Sequence, residues 1–211
     1  MTSIEMEINA SLVKTLREKT GVGVMECKNA LNEANGDVDE AVKILRKKGL
    51  SAASRKVGRK TAEGLVGAYI HAGGRIGVLV EVNCETDFVA RTPEFQALLK
   101  DIAMQVAATQ PRFVSREEVT PELLSQERDI YRGQVLQSGK PEHIADKIVQ
   151  GKMEKFFSEA CLYEQPFVRD PGITIQELIS SFIAKVGENV RVRRFTRYGV
   201  GEGQTETPPK A

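Results

Sequence analysis

The clearest two-residue repeat in this chain, from Ile76 to Cys84, constrains the fold more than any other segment. Five residues, Ile76, Val78, Val80, Val82 and Cys84, alternate there with Gly77, Leu79, Glu81 and Asn83. This alternation is typical of a β-strand with one buried face, because successive side chains of a strand point to opposite sides. The β-forming run Leu65–His71 precedes it, and Gly73-Gly74 supplies a tight turn between the two. The segment therefore predicts a hairpin whose second strand ends near Cys84.

The first 50 residues predict three short helices. A glycine follows each of them, at Gly21, Gly36 and Gly49, where a left-handed helix end is favoured. The third helix begins after Asp37, with Glu40 three positions further on in the pattern of a capping box. Three helices of this size share only a small core, and such a module is typical of a docking domain.

Threonine followed by proline marks two further helix starts, at Thr92-Pro93 and Thr120-Pro121. The first of these helices ends before Pro111 and buries Phe95, Leu98, Leu99, Ile102 and Val106. Between residues 120 and 162 the apolar positions are sparser and the charges dense, which predicts a projecting hairpin of two helices.

A last helix stops at Gly187, and Val190 to Tyr198 predicts a third strand. The sequence thus predicts an α+β fold in four parts. Residues 1–50 form a three-helix bundle like a ubiquitin-associated (UBA) domain, and residues 51–62 form a basic helical linker. Residues 63–200 form a core with a small three-stranded antiparallel sheet and the helical hairpin, and residues 201–211 form a disordered tail.

Charge and composition exclude several partners. The 30 Lys and Arg residues nearly balance the 29 Asp and Glu residues, which argues against a polyphosphate as the main partner. No stretch approaches the roughly 20 apolar residues that a membrane helix needs. Three widely separated cysteines, Cys27, Cys84 and Cys161, suggest neither a disulfide framework nor a zinc site. We expect no direct nucleic-acid or membrane binding, and a reducing, cytoplasmic location.

Enzyme chemistry finds little support in the residue pattern. Cys84 and His71 lie on neighbouring predicted strands, but no third group is placed to orient the histidine. The two histidines and three cysteines lack the spacing of metal ligands. The chain also lacks the phosphate-loop pattern G-x-x-x-x-G-K-[ST], so we expect no bound nucleotide, metal or cofactor of its own.

Five motifs in order make the chain resemble elongation factor Ts, the exchange factor for elongation factor Tu. The two longest are Thr20–Leu31 (TGVGVMECKNAL) and Glu81–Arg91 (EVNCETDFVAR). The other three are Ser138–Pro141, Gln165–Val168 and Gly187–Val190. The resemblance implies a factor without enzymatic activity that binds the GDP-bound and nucleotide-free forms of elongation factor Tu and promotes GDP release.

The resemblance assigns the main site to Thr86, Asp87, Phe88 and Val89. In the family, the phenylalanine at this place inserts between helices of the GTPase. The aspartate beside it disturbs the helix that helps to hold the nucleotide's Mg²⁺. Phe88 is then the wedge and Asp87 its polar partner. The residues alone leave an alternative open, in which Phe88 packs in its own core at a strand-to-helix turn, since phenylalanine is commonly buried.

Further partner contacts implied by the resemblance are Arg17, Val24, Met25, His71, Gly187, Glu188 and Asn189. The helical period favours a core position for Val24, whereas Met25 falls off the apolar stripe. A lone histidine at a hairpin, such as His71, is more often a surface turn residue. By composition alone, Gly187 to Asn189 is a helix-to-strand turn.

The chain carries one copy of the core sheet unit, and the short forms of the family are associated with homodimers. The resemblance therefore leaves both a 1:1 and a 2:2 complex with elongation factor Tu open. Two other functions compete with the exchange factor. One is a helical module that docks on another protein, and the other is a ribosome- or RNA-binding module that uses the basic residues between Ala41 and Ala62.

Overall fold

The computed structural model describes residues 9–138 and 141–202, and these form a mixture of helices and short strands. The helices are α1 (Ala10–Thr20), α2 (Val24–Glu33), α3 (Val38–Ser54), α4 (Asp87–Ala90), α5 (Pro93–Thr109), α6 (Pro121–Gln137), α7 (Glu142–Ala160) and α8 (Ile175–Val186). The strands are β1 (Glu63–Ile70), β2 (Ile76–Cys84), β3 (Pro166–Phe167), β4 (Asp170–Thr174) and β5 (Val190–Gly199). The predicted α+β class is confirmed. The predicted tail lies, beyond Glu202, outside the described residues.

Backbone contacts divide the chain into two compact units. The first joins the N-terminal residues up to Gly64 with residues 83–91 and 176–191. The second comprises residues 65–82 and 92–175 and the chain from Val192 onwards. The domain boundaries expected from the sequence stay a prediction.

The N-terminal helices of the first unit enclose a small apolar core, as predicted. Its fully buried members are Leu16, Cys27, Ala30, Leu31 and Ala41. Gly21 ends α1 with a φ of 68°, a left-handed value that favours glycine. The Asp37 carboxylate accepts the backbone N–H groups of Asp39 and Glu40 and so caps α3. The likeness of this bundle to a UBA domain stays a prediction.

The predicted end of the third helix at Gly49 is wrong, because α3 continues to Ser54. Gly49 is buried, and a Cβ atom there would lie 3.7 Å from the Cβ of Ala184 on α8. Such a methyl group would make only ordinary van der Waals contact, so Gly49 lies on the face of α3 that packs against α8 without glycine being required there. A single glycine inside a helix costs only about 1 kcal/mol relative to alanine, so this packing outweighs its tendency to end the helix.

The sheet has the strand order β1-β2-β5. Gly73 and Gly74 join β1 to β2 with φ values of 89° and 68°, as a tight turn requires. The predicted alternation is confirmed, since Val78, Val80 and Val82 are buried while Leu79 is exposed. The Val200 N–H donates to the Arg75 carbonyl across the ends of β5 and β2, so these strands are antiparallel.

Helix α5 and the hairpin of α6 and α7 complete the second unit. All five residues of the predicted α5 stripe are buried. Arg116 holds the base of the hairpin: it pairs with Glu154 and Glu164 and lies 4.2 Å from the ring centre of Phe157. The pair β3-β4 is not predicted from the sequence, because two residues in β3 are too few to show a period. No helix within the described ranges is long and apolar enough to cross a membrane.

Candidate functional site

The Thr86–Val89 turn, at the end of β2, presents Phe88 to solvent. The ring of Phe88 is 80% exposed, the largest value for any large hydrophobic side chain among the described residues. The alternative of a Phe88 packed in its own core is therefore wrong. Burying a phenylalanine side chain contributes about 1.5–3 kcal/mol to the stability of a fold, and an exposed one does not make this contribution. Such an exposed position therefore favours a role in binding a partner over a role in folding.

The short helix α4 fixes the direction of Phe88. The Thr86 hydroxyl accepts the Val89 N–H and caps this helix. Ala90, two residues after Phe88, is only 3% exposed. Residues two apart on a helix point about 200° apart, so burying Ala90 turns Phe88 outward.

Asp87 lies beside the exposed ring and is paired within the chain. Its Oδ2 lies 2.8 Å from Nη2 of Arg91, one helical turn further on. Both side chains are largely accessible, with Arg91 at 78% and Asp87 at 43% exposure. A surface pair of this kind is worth at most about 1 kcal/mol, so a partner can displace Arg91 at little cost.

The structure joins the sequence-predicted residues Glu188 and Asn189 to the segment Glu85-Thr86. One Glu188 oxygen accepts the Thr86 N–H at 3.0 Å and the other accepts the Thr86 hydroxyl at 2.6 Å. Asn189 is 7% exposed, and its N–H donates to the Glu85 carboxylate at 2.6 Å. Gly187, with a φ of 80°, makes the preceding turn.

Cys84 lies behind the turn and is fully buried. Its thiol donates to the Thr86 carbonyl, with Sγ 3.1 Å from the oxygen. Burial, and to a smaller extent the nearby Glu188 carboxylate, raises the pKa of Cys84 to about 11. The thiol therefore stays protonated and serves as a donor, not as a nucleophile.

This pKa predicts a loss of stability at alkaline pH. The ordinary thiol value is near 9, so between there and about 11 the unfolded chain loses the Cys84 proton while the folded chain keeps it. The free energy of unfolding should therefore fall as the pH rises through this window. Urea unfolding of wild type and Cys84→Ala at pH about 8 and about 10 measures the effect. The fall should be smaller in Cys84→Ala, and an equal fall in both proteins would contradict the assignment.

A second group of predicted contacts lies on the N-terminal helices. Arg17 and Val24 line one groove of about 340 Å³, together with Lys14 and Lys28. Val24 is 48% and Met25 66% exposed. The core position that the helical period favours for Val24 is thus wrong, whereas the predicted exposure of Met25 is confirmed. The lining of this groove combines apolar and basic side chains, which suits an acidic and partly apolar surface.

His71 lies at the start of the β1-β2 turn and is exposed. Its Nδ1 lies 3.0 Å from the Tyr69 hydroxyl, and its N–H donates to the Ile76 carbonyl. These contacts fit a turn residue, and its contact with a partner stays a prediction.

Sequence reasoning missed Glu85 and Arg59 as parts of the site. Arg59 pairs with Glu85 at 3.5 Å, and its carbonyl accepts the Asn189 side-chain amide at 3.0 Å. Glu85 lies inside the motif Glu81–Arg91, but its partners are more than twenty residues away in sequence, and no local pattern identifies them. Among the described residues, no three His, Cys, Asp or Glu side chains are grouped as a metal site requires.

Comparison with known proteins places the chain among translation elongation factors. The family model described as Elongation factor TS matches residues 5–202. A relative named Elongation factor Ts from Carboxydothermus hydrogenoformans is 57% identical over 93% of this chain and 90% of its own length. Relatives of the same name from Heliobacterium modesticaldum and Geobacter sulfurreducens are each 58% identical, over 93% and 94% of this chain and 91% and 92% of their own lengths. The chain belongs to the elongation factor Ts family.

Proposed function

We propose that this chain is a guanine-nucleotide exchange factor that binds elongation factor Tu and promotes release of its GDP. The observation that carries the proposal is the exposed ring of Phe88 on a capped turn at the end of a strand. A side chain on a stiff support can push into a partner without first being ordered. In this proposal the chain carries out no chemistry on the nucleotide.

Exchange then follows from linkage between two binding events. A factor that binds the nucleotide-free GTPase more tightly than the GDP form must weaken GDP binding by the same ratio. Each tenfold weakening needs about 1.4 kcal/mol of differential binding. Burial of the Phe88 ring supplies about 1.5–3 kcal/mol, and Asp87 acts on the Mg²⁺-holding helix once it leaves Arg91. The groove at Arg17 and Val24, with Met25 beside it, supplies docking energy.

The linkage is tested by measuring the complex at equilibrium. The chain should form a complex with nucleotide-free elongation factor Tu that survives gel filtration, and added GDP should dissociate it. A complex whose stability does not depend on GDP would contradict the exchange function. Binding to ribosomes or RNA that falls steeply with salt, without any such complex, would favour the nucleic-acid alternative instead.

We further propose that a second copy of the chain covers the apolar sheet face. This face carries the exposed side chains of Val66, Ile70, Leu79, Tyr198 and Val200. Ile70, Leu79, Tyr198 and Val200 line one groove of about 350 Å³. The nearby charges of Glu81 and Arg194 neutralise each other at 2.7 Å. A two-fold axis would place two such faces together as two packed sheets, which agrees with the homodimer that the family resemblance implies.

Replacing Leu79, 51% exposed on this face, with aspartate should convert a dimer into a monomer. The unpaired charge would have to be buried between the sheets, which costs several kcal/mol. Light scattering at several concentrations gives the mass. Ile130→Asp, at a 54% exposed site on α6, is the matched control and should stay dimeric. A wild-type chain that is monomeric at all concentrations would contradict the proposed dimer.

A further inference from the structure

Two short segments at the ends of neighbouring strands bond to each other reciprocally. Glu85-Thr86 follows β2, and Glu188-Asn189 precedes β5. The Glu188 carboxylate accepts the Thr86 N–H, and the Glu85 carboxylate accepts the Asn189 N–H, at 3.0 and 2.6 Å. Each segment thus supplies one carboxylate and one backbone donor, and the two bonds join positions about a hundred residues apart in sequence.

Every polar group of Thr86 is occupied within the chain. Its N–H and its hydroxyl both donate to Glu188, on separate oxygens. The hydroxyl oxygen also accepts the Val89 N–H. The carbonyl accepts the Cys84 thiol at 3.1 Å and the Ala90 N–H at 3.4 Å. All polar groups of Thr86 are thus satisfied in this conformation, which begins the short helix α4 that carries Phe88 two residues later.

The Glu85 side of this arrangement is anchored in turn by the linker. Arg59 lies 3.5 Å from the Glu85 carboxylate, and its carbonyl accepts the Asn189 side-chain amide. Asn189 is thereby bonded through both its backbone and its side chain, and it is buried. Neither Glu188 oxygen needs a partner protein to satisfy it.

From these contacts we infer that Glu188, together with Glu85, positions the Thr86–Val89 turn so that Phe88 projects at a fixed angle. They are positioning residues for nucleotide exchange, which the family resemblance does not assign, and the inference rests on the exchange function proposed above. We call the bonds from Glu188 to Thr86 and from Glu85 to Asn189 the clamp. Hydrogen bonds to a carboxylate are roughly twice as strong as neutral ones, so the clamp can keep the turn in place when Phe88 is pressed against the partner.

The clamp is tested first without any partner, by amide hydrogen exchange in Glu188→Ala. We expect the Thr86 amide to exchange at least about tenfold faster, because it loses a charge-assisted bond. Glu159→Ala, which removes an exposed carboxylate paired with Lys155 at 3.6 Å, is the control and should leave the Thr86 amide unchanged. Unchanged protection of Thr86 in Glu188→Ala would overturn the inference.

The second test measures GDP release from elongation factor Tu at saturating factor. Glu188→Ala should lower the maximal rate about tenfold, and Glu159→Ala should match wild type. In a background with both Asp87→Ala and Phe88→Ala, Glu188→Ala should change the rate by less than about twofold, because the two side chains that the clamp positions are already gone. An undiminished effect in that background would assign Glu188 to direct contact and overturn its positioning role.

The isosteric Glu188→Gln keeps the packing and one oxygen acceptor, so both readouts should lie between those of Glu188→Ala and wild type. Wild-type values of both readouts in Glu188→Gln and Glu188→Ala would overturn the clamp while leaving the exchange function intact. A wild-type chain that fails to accelerate GDP release would instead reject the exchange function, and the amide exchange of Thr86 still decides whether the clamp exists.

Discussion

Replacing Phe88 with alanine is expected to lower the maximal rate of GDP release about ten- to hundredfold, while the free energy of unfolding stays within about 0.5 kcal/mol of wild type. The ring is 80% exposed, so its removal costs the fold almost nothing. The same ring would bury most of its surface in the partner, where that burial favours the nucleotide-free state.

Stopped-flow release of a fluorescent GDP analogue, at factor concentrations up to saturation, measures this effect. Saturation separates the wedge from docking, because a docking defect is overcome at high concentration and a lost wedge is not. Val57→Ala removes another apolar side chain, 76% exposed on the linker, and should behave as wild type. An unchanged maximal rate in Phe88→Ala would reject the wedge.

Replacing Phe95 with alanine is expected to lower the free energy of unfolding strongly, in contrast to Phe88→Ala. Phe95 lies in the first turn of α5 and is completely buried. Replacing a buried phenylalanine with alanine costs about 3–5 kcal/mol, from lost burial and from the cavity that remains. This is a large share of the 5–15 kcal/mol typical of a protein domain.

Urea unfolding followed by circular dichroism gives the loss for Phe95→Ala. The midpoint should move to clearly lower urea with an unchanged slope, since the surface exposed on unfolding is nearly the same. Phe88→Ala serves as the paired comparison, because the chemical change is identical and only the burial differs. A loss below about 1 kcal/mol for Phe95→Ala would contradict the packing of α5.

Local chemistry explains which elements were predictable. Thr92-Pro93 and Thr120-Pro121 begin helices because the threonine caps and the proline needs no N–H partner there. Val78, Val80 and Val82 alternate with other residues because they lie on the one buried face of β2. The continuation of α3 past Gly49 was not predictable, because it depends on packing against α8, more than a hundred residues later in the sequence.

In the candidate site, too, local motifs were readable from the sequence, whereas contacts between distant segments were not. Motif resemblance points to Asp87 and Phe88 as partner contacts, and this role stays a prediction. Composition alone favours burial of a phenylalanine, and only the direction of α4 decides that Phe88 is exposed. Glu188 was expected to contact the partner, a role that stays untested. Its bonds to Thr86 depend on β2 and β5 being neighbours, which no local pattern of one sequence reveals.

The exchange function is tested most directly by the rate at which elongation factor Tu releases labelled GDP as the wild-type chain is added. The rate should rise with the concentration of the chain and level off well above the spontaneous value. If the rate stays at the spontaneous value at every concentration although the chain is folded, the chain is not an exchange factor for elongation factor Tu.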